Sequence, residues 1–166
     1  MNGSRENRAQ GASEKPGRRP SVYNLATARR MLPLVQQVVG DVICHRRLLA
    51  QLRPEQCRLD RQRRTLAWPE RSRRYQIQEE IATAERNFQE ALTELTGLAV
   101  VLLDPVVGRV GFPTVVNNRQ AFFSWQLGEE GVKHWHFPED DNLRLIPASW
   151  AKTANMRLTA KSKTED

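Results

Sequence analysis

A chain of 166 residues that is 39% hydrophobic and only 7% aromatic encloses one modest core with flexible ends rather than two independent cores. No apolar run approaches the roughly 18 to 20 residues that span a bilayer, and no hydrophobic segment follows the charged start, Met1 to Pro20, so membrane insertion and secretion are both unexpected. The net charge of +7 is unevenly laid out: from Arg46 to Arg74 ten arginines face three acidic residues, giving +7 in that stretch alone, whereas Tyr75 to Trp150 carries five basic and eleven acidic residues, giving −6.

Residues 1 to about 20, rich in Gly, Ser, Arg, Lys and Pro, bury too little to offset the entropy of ordering and are expected to form a disordered basic tail. From Asn24, a suitable N-cap, apolar residues recur at Ala28, Met31, Leu32, Val35, Val38, Val39, Val42, Leu49, Leu52 and Leu59, the spacing of a long helix with one buried face. Pro33 and Pro54 each remove an intrahelical hydrogen bond, so a kink or a restart is expected at both. Cys44 and Cys57 lie too far apart along this helix to bond and match no metal motif, which suits a reducing, cytoplasmic setting. His45 falls on the apolar stripe, where a hydrogen-bonded interface histidine is the ordinary case.

A polar stretch, Asp60 to Trp68, separates this helix from a second that opens at Pro69 and carries Ile77, Ile81, Ala84, Phe88, Leu92 and Leu95 in alternating steps of four and three. Two such stripes fold back most economically as a long antiparallel, coiled-coil-like hairpin with the arginine-rich segment at its tip. The length of the stripes also makes the seam a candidate surface for a homodimer or a protein partner. Gly97 is expected to stop the second helix. Four short strands are predicted after it, over Leu98 to Leu103, Arg109 to Phe112, Gln120 to Leu127 and Val132 to Phe137, punctuated by Gly108, Pro113, Asn117, Asn118 and Gly128. Consecutive strands joined by tight turns make a small antiparallel sheet on the open end of the helices. The fold class is therefore α+β: one domain over 21–150, with the hairpin at 21–97 and the β-rich part at 98–150, then a second disordered tail at 151–166.

The opening residues Tyr23, Asn24, Ala28, Leu32 and Pro33 are followed much later by Gly111-Phe112-Pro113, Phe123-Ser124-Trp125-Gln126-Leu127-Gly128-Glu129, Trp135-His136, Arg144 and Ile146-Pro147. In that combination the chain resembles a bacterial family known as domain of unknown function 2203, from about Tyr23 to Pro147. Within the later motifs the resemblance marks Trp125, Gly128, Glu129, Trp135, His136 and Arg144. It departs from the family pattern at Ala26 and Thr27, where acidic residues are common, at Ser124, where a cysteine often stands, and at Phe137, where a glutamate often follows the Trp-His pair. The resemblance implies a fold and a cytoplasmic setting, and no established reaction.

Two groups of residues carry candidate chemistry. His134 and His136 flank Trp135, so on a strand both imidazoles project from one face and the indole from the other. A metal such as zinc or iron would need a third group, for which Glu129, Glu139, Asp140 and Asp141 are available; the plainer account packs Trp135 in the core and leaves the histidines as surface or hydrogen-bonded residues. Phe123, Trp125 and Leu127 read as core of the sheet, and Glu129 with Arg144 either as a structural ion pair or as the lining of a pocket. No nucleophile elbow, phosphate loop or dinucleotide fingerprint is present. At the tip, Arg58, Arg61, Arg63, Arg64, Arg71, Arg73 and Arg74 surround Trp68, a composition that holds phosphates and stacks on an unpaired base; the plainer account is a solvated loop that faces acidic surface on a neighbouring copy. The expected function is a non-enzymatic protein-interaction or scaffold module without a cofactor. The alternatives are nucleic-acid or ribosome association through the tip, and a metal-binding protein or hydrolase using His134 and His136.

Overall fold

The Asn24 side chain accepts a hydrogen bond from the Thr27 N–H at 2.7 Å and so caps the first helix, α1 (Leu25–Arg61). The computed structural model describes residues 22–140 and 142–151, and both expected tails lie outside them apart from Ala151. α1 is unbroken through Pro33 and Pro54, so neither proline restarts it. Both prolines are on the exposed side, where water can satisfy the carbonyls they leave free, and burial along the opposite face outweighs a loss of about 3 kcal/mol per proline.

The second helix, α2 (Trp68–Gly97), has its proline in the first turn and packs antiparallel along α1. Most stripe residues are buried within a single chain, between the two helices or, nearer the sheet, also against it, with Met31, Phe88 and Leu92 partly buried. The stripes are thus covered within this one chain. Burial divides the hairpin into two clusters. The distal cluster is Leu49, Leu52, Leu59, Leu66, Ile77, Ile81 and Ala84. The proximal cluster joins α1 as far as Ile43 and the end of α2 to the sheet, through Val110, Phe112, Phe123, Trp125 and Val132. From Ile43 to Leu59 the helix advances about 24 Å at its normal rise, which keeps the tip well away from the sheet.

Gly97 ends α2, but the left-handed residue is Ala99, at φ 56°. The Val100 N–H bonds the Leu95 carbonyl and the Ala99 N–H bonds the Thr96 carbonyl, both at 3.0 Å. This is a Schellman closure with buried Leu95 and Val100 as its apolar pair. Alanine in this region costs about 1–2 kcal/mol, partly offset by the greater unfolded-state freedom of glycine. Ala99→Gly is therefore expected to stabilise the protein by about 0.5 kcal/mol, measured as a rise of the urea midpoint at unchanged slope.

The sheet is a five-stranded antiparallel meander in the order β1 (Val101–Asp104), β2 (Arg109–Val116), β3 (Arg119–Gln126), β4 (His134–His136) and β5 (Arg144–Leu145). β2 does not stop at Pro113 as expected. Beyond Gly111 no β1 residue pairs with it, and the Pro113 carbonyl, directed to that open side, accepts the Tyr23 N–H at 2.7 Å. The missing proline N–H therefore faces an edge, where a sheet tolerates it. Asn117 and Asn118, both at positive φ, form the two-residue turn between β2 and β3. β5 and a helical turn at 148–151 were not expected; the turn brings Trp150 against Trp135, with ring centroids 5.3 Å apart.

Tyr23, just ahead of α1, ties the end of α2 to β2. Its hydroxyl donates to the Leu98 carbonyl at the end of α2, and its ring meets Phe112 of β2 edge-on at 5.3 Å. Burial pushes its phenol pKa up.

Candidate functional site

The two groups of candidate residues lie at opposite ends of the molecule. At the tip, α1 ends in Arg58 and Arg61, and the chain turns through Gln62 to Thr65, whose N–H bonds the Gln62 carbonyl at 2.9 Å. Buried Leu66 anchors the turn in the distal cluster, and α2 then begins at Trp68. The three acidic residues of the arginine-rich segment are each taken by one of its own arginines. Glu55 pairs with Arg73 at 3.1 Å, Asp60 with Arg74 at 2.6 Å, and Glu70 with Arg58 at 3.6 Å. Arg73 also reaches Glu80 at 2.9 Å. Its hydrogen bonds hold the Glu55 carboxyl below the usual carboxylate range, while those two carboxylates raise its own pKa.

These pairs brace the hairpin and leave a remainder. Arg61, Arg63 and Arg64 are exposed and have no ion-pair partner among the described residues. Arg71 donates through Nε to the Leu66 carbonyl at 2.9 Å, which orients an otherwise exposed guanidinium. Trp68 is 76% exposed and Tyr75 is 62% exposed. Seven residues apart on one helix, they lie on nearly the same face, about 10.5 Å apart along the axis, with Arg71 between them. Arg74 sits 5.9 Å from the Tyr75 ring centroid. Of the arginines expected to act together, Arg58, Arg73 and Arg74 are thus engaged within the hairpin. The pairing of Trp68 with Tyr75 was legible in their seven-residue spacing.

At the other end, strand register places His134 beside Ser124 and His136 beside Phe122, on the sheet face opposite Trp125. His134 Nδ1 lies 3.8 Å from Glu129 Oε1. His136 is 8% exposed; its Nδ1 lies 2.8 Å from the Phe137 carbonyl, whereas its Nε2 is buried without a partner, as is His134 Nδ1. Among the described residues no three His, Cys, Asp or Glu side chains converge as a metal would require. Glu139 is taken by Arg119 and Asp140 by Arg144, and Asp141 lies outside the described residues. The Asn142 N–H, helped by Arg144, holds the Asp140 carboxyl below its usual range.

Glu129 and Arg144 do not pair. Glu129 closes the turn after β3: its side chain accepts the Gln126 N–H and its carbonyl accepts Trp125 Nε1–H, both at 3.0 Å. Arg144 instead lies 5.1 Å from the centroid of Trp135. Gly128 makes the same turn at φ +99°. Trp125, Gly128, Glu129, Trp135 and Arg144 thus each take part in packing contacts or turn geometry. His45 also departs from expectation, since its Nδ1 is buried with no hydrogen-bond partner. Between the helices and the β1–β2 turn an open cleft of about 540 Å³ is lined by residues including Arg46, Arg53, Glu85, Phe88 and Pro105; its charged walls include the Arg53–Glu85 pair at 3.2 Å.

No helix among the described residues is long and apolar enough to cross a membrane. No curated protein and no solved structure matches the chain significantly. A family model described as "Uncharacterized conserved protein (DUF2203)" matches residues 21–141, which takes in both helices and β1 to β4 and stops short of Arg144 and Ile146-Pro147, where the resemblance was expected to run on. On that match the chain belongs to the DUF2203 family.

Proposed function

We propose that the protein is a non-enzymatic interaction module, in which the sheet is a base, the hairpin is an arm, and the tip is the surface that meets a macromolecular partner. The observation that carries this is the contrast between the two ends. The sheet directs its aromatic residues inward or stacks them on one another, while the tip leaves Trp68 and Tyr75 in solvent beside arginines with no internal counter-charge. A large exposed aromatic group among unpaired arginines is the composition of binding hot spots. Two exposed, free cysteines, Cys44 and Cys57, are compatible with a cytoplasmic setting. The test is a photo-crosslinking residue placed at Gln62 in the tip or at Gln120 on the sheet. A high-mass adduct is expected from the Gln62 probe in living cells, and adducts formed only from Gln120 would overturn the proposal.

A second function rests on the outer sheet face. His136 donates Nδ1–H to the Phe137 carbonyl and leaves Nε2 buried without a hydrogen-bond partner, the way a metal-ligating imidazole is commonly held by its other nitrogen. A metal there would draw on His134 and His136 and would need a third ligand that the described residues do not bring to them, since Glu129, beside His134, already accepts the Gln126 N–H. Elemental analysis of tag-free protein tests this: the function requires stoichiometric metal that is lost on replacing both histidines with alanine, and metal-free protein would remove it.

A further inference from the structure

Resting on the tip as the binding surface, we infer that its ligand is single-stranded nucleic acid. Three observations converge on this class. First, the internal ion pairs use up the acidic residues of the arginine-rich segment, so Arg61, Arg63 and Arg64 present positive charge that nothing nearby neutralises. A phosphate backbone supplies the counter-charge at regular intervals and releases its own condensed ions on binding. Second, Trp68 and Tyr75 share one face of α2 and are far enough apart along it to take two different bases. Aromatic side chains stack on any base, but only where the base is not already stacked within a duplex. Third, Arg71 lies between the two rings along the helix with its Nε fixed on the Leu66 carbonyl at 2.9 Å, which leaves its other guanidinium nitrogens for a phosphate of a strand laid over both aromatics.

The shape of the tip agrees with this ligand. The turn is held out by the arm at about 24 Å from the proximal core, and its two aromatic rings are solvated and stand apart from the open cleft that Pro54, Cys57, Arg58, Arg61 and Gln62 line on the α1 side. The contacts involve phosphate charge and base faces only, so RNA and DNA are bound alike unless a 2′-hydroxyl finds a partner.

The experiment is fluorescence anisotropy with labelled 12-nucleotide mixed-sequence RNA and DNA single strands, the matching duplexes and a poly-glutamate peptide, on the full chain. Single strands are expected to bind more tightly than duplexes. With three phosphates neutralised, affinity should fall roughly twentyfold between 50 and 200 mM salt. Trp68→Ala should weaken binding about tenfold and R61E/R63E/R64E should abolish it. These positions are exposed, so circular dichroism and the melting temperature should stay unchanged. Absence of single-strand binding at 50 mM salt, equal binding of duplex, or indifference to the triple variant would overturn the inference. Tip-dependent binding of poly-glutamate without nucleic acid would overturn it while leaving the interaction module intact. Crosslinks confined to the sheet would remove both.

Discussion

Replacing Gly108 with alanine is expected to lower stability by about 3 kcal/mol, seen as a fall of roughly 10 °C in melting temperature. Gly108 lies in the turn between β1 and β2 at φ +68°, and an added Cβ would meet Val39 Cγ1 at 2.9 Å, Leu127 Cβ at 3.1 Å and Ile43 Cγ1 at 3.3 Å. Two costs combine. A side chain in the left-handed region costs about 1–2 kcal/mol, and forcing a methyl group into a filled core costs about 1–3 kcal/mol. Gly128→Ala separates them, because Gly128 also has a positive φ, +99°, but has nothing within 4 Å of its would-be Cβ. Gly128→Ala should therefore lose only the backbone part. Val39→Ala should restore part of the loss when combined with Gly108→Ala, as non-additivity in a double-mutant cycle. Equal losses at the two glycines, or strict additivity with Val39→Ala, would show that the turn does not dock the sheet on α1 in this way.

That docking is the part of the fold the sequence expressed least. The hairpin was legible because it is periodic: two stripes at helical spacing had only one economical way to be buried, and Ile77, Ile81 and Leu95 lie where that spacing put them. The meander was legible from its turn residues, and Asn117 and Asn118 adopt the positive φ values their type favours. Two local signals misled, at Pro113 and at β5, and a third told only part of the outcome. Pro113 reads as a strand terminator until its neighbour on that side is known to be absent. Gly97 does end α2 as expected, while the left-handed residue that closes the helix is Ala99, with Leu95 and Val100 packed as its apolar pair. β5 spans only two residues, too few for any alternation to register.

For the candidate sites the limit was different. Residue types at the tip were visible, but which arginines remain available depends on i-to-j pairing across the hairpin, such as Arg73 with Glu55 and Arg74 with Asp60. Charge counting cannot supply that register. The sequence also placed Glu129 and Arg144 together as a possible pair, whereas a turn hydrogen bond and a cation–π contact claim them separately.

Leu59→Ala is expected to loosen the arm and spare the base. Leu59 is fully buried in the distal cluster, and a Leu→Ala change in such a site costs about 3 kcal/mol through lost transfer energy and a residual cavity. The distal cluster contains no sheet residue, so the loss falls on interactions made only between the two helices and the Leu66 turn. Hydrogen exchange should therefore quicken roughly a hundredfold for protected amides between Leu52 and Ile81, while amides of β2 and β3 keep their protection, as expected when an element opens as its own cooperative unit. The same change should weaken any ligand of the tip, because Leu66 and the start of α2 must be ordered before Trp68, Arg71 and Tyr75 share one face, and binding would then have to supply that ordering. Exchange that quickens equally in the sheet would mean that arm and base unfold together, and the arm could not then act as a separately tuned extension of the base.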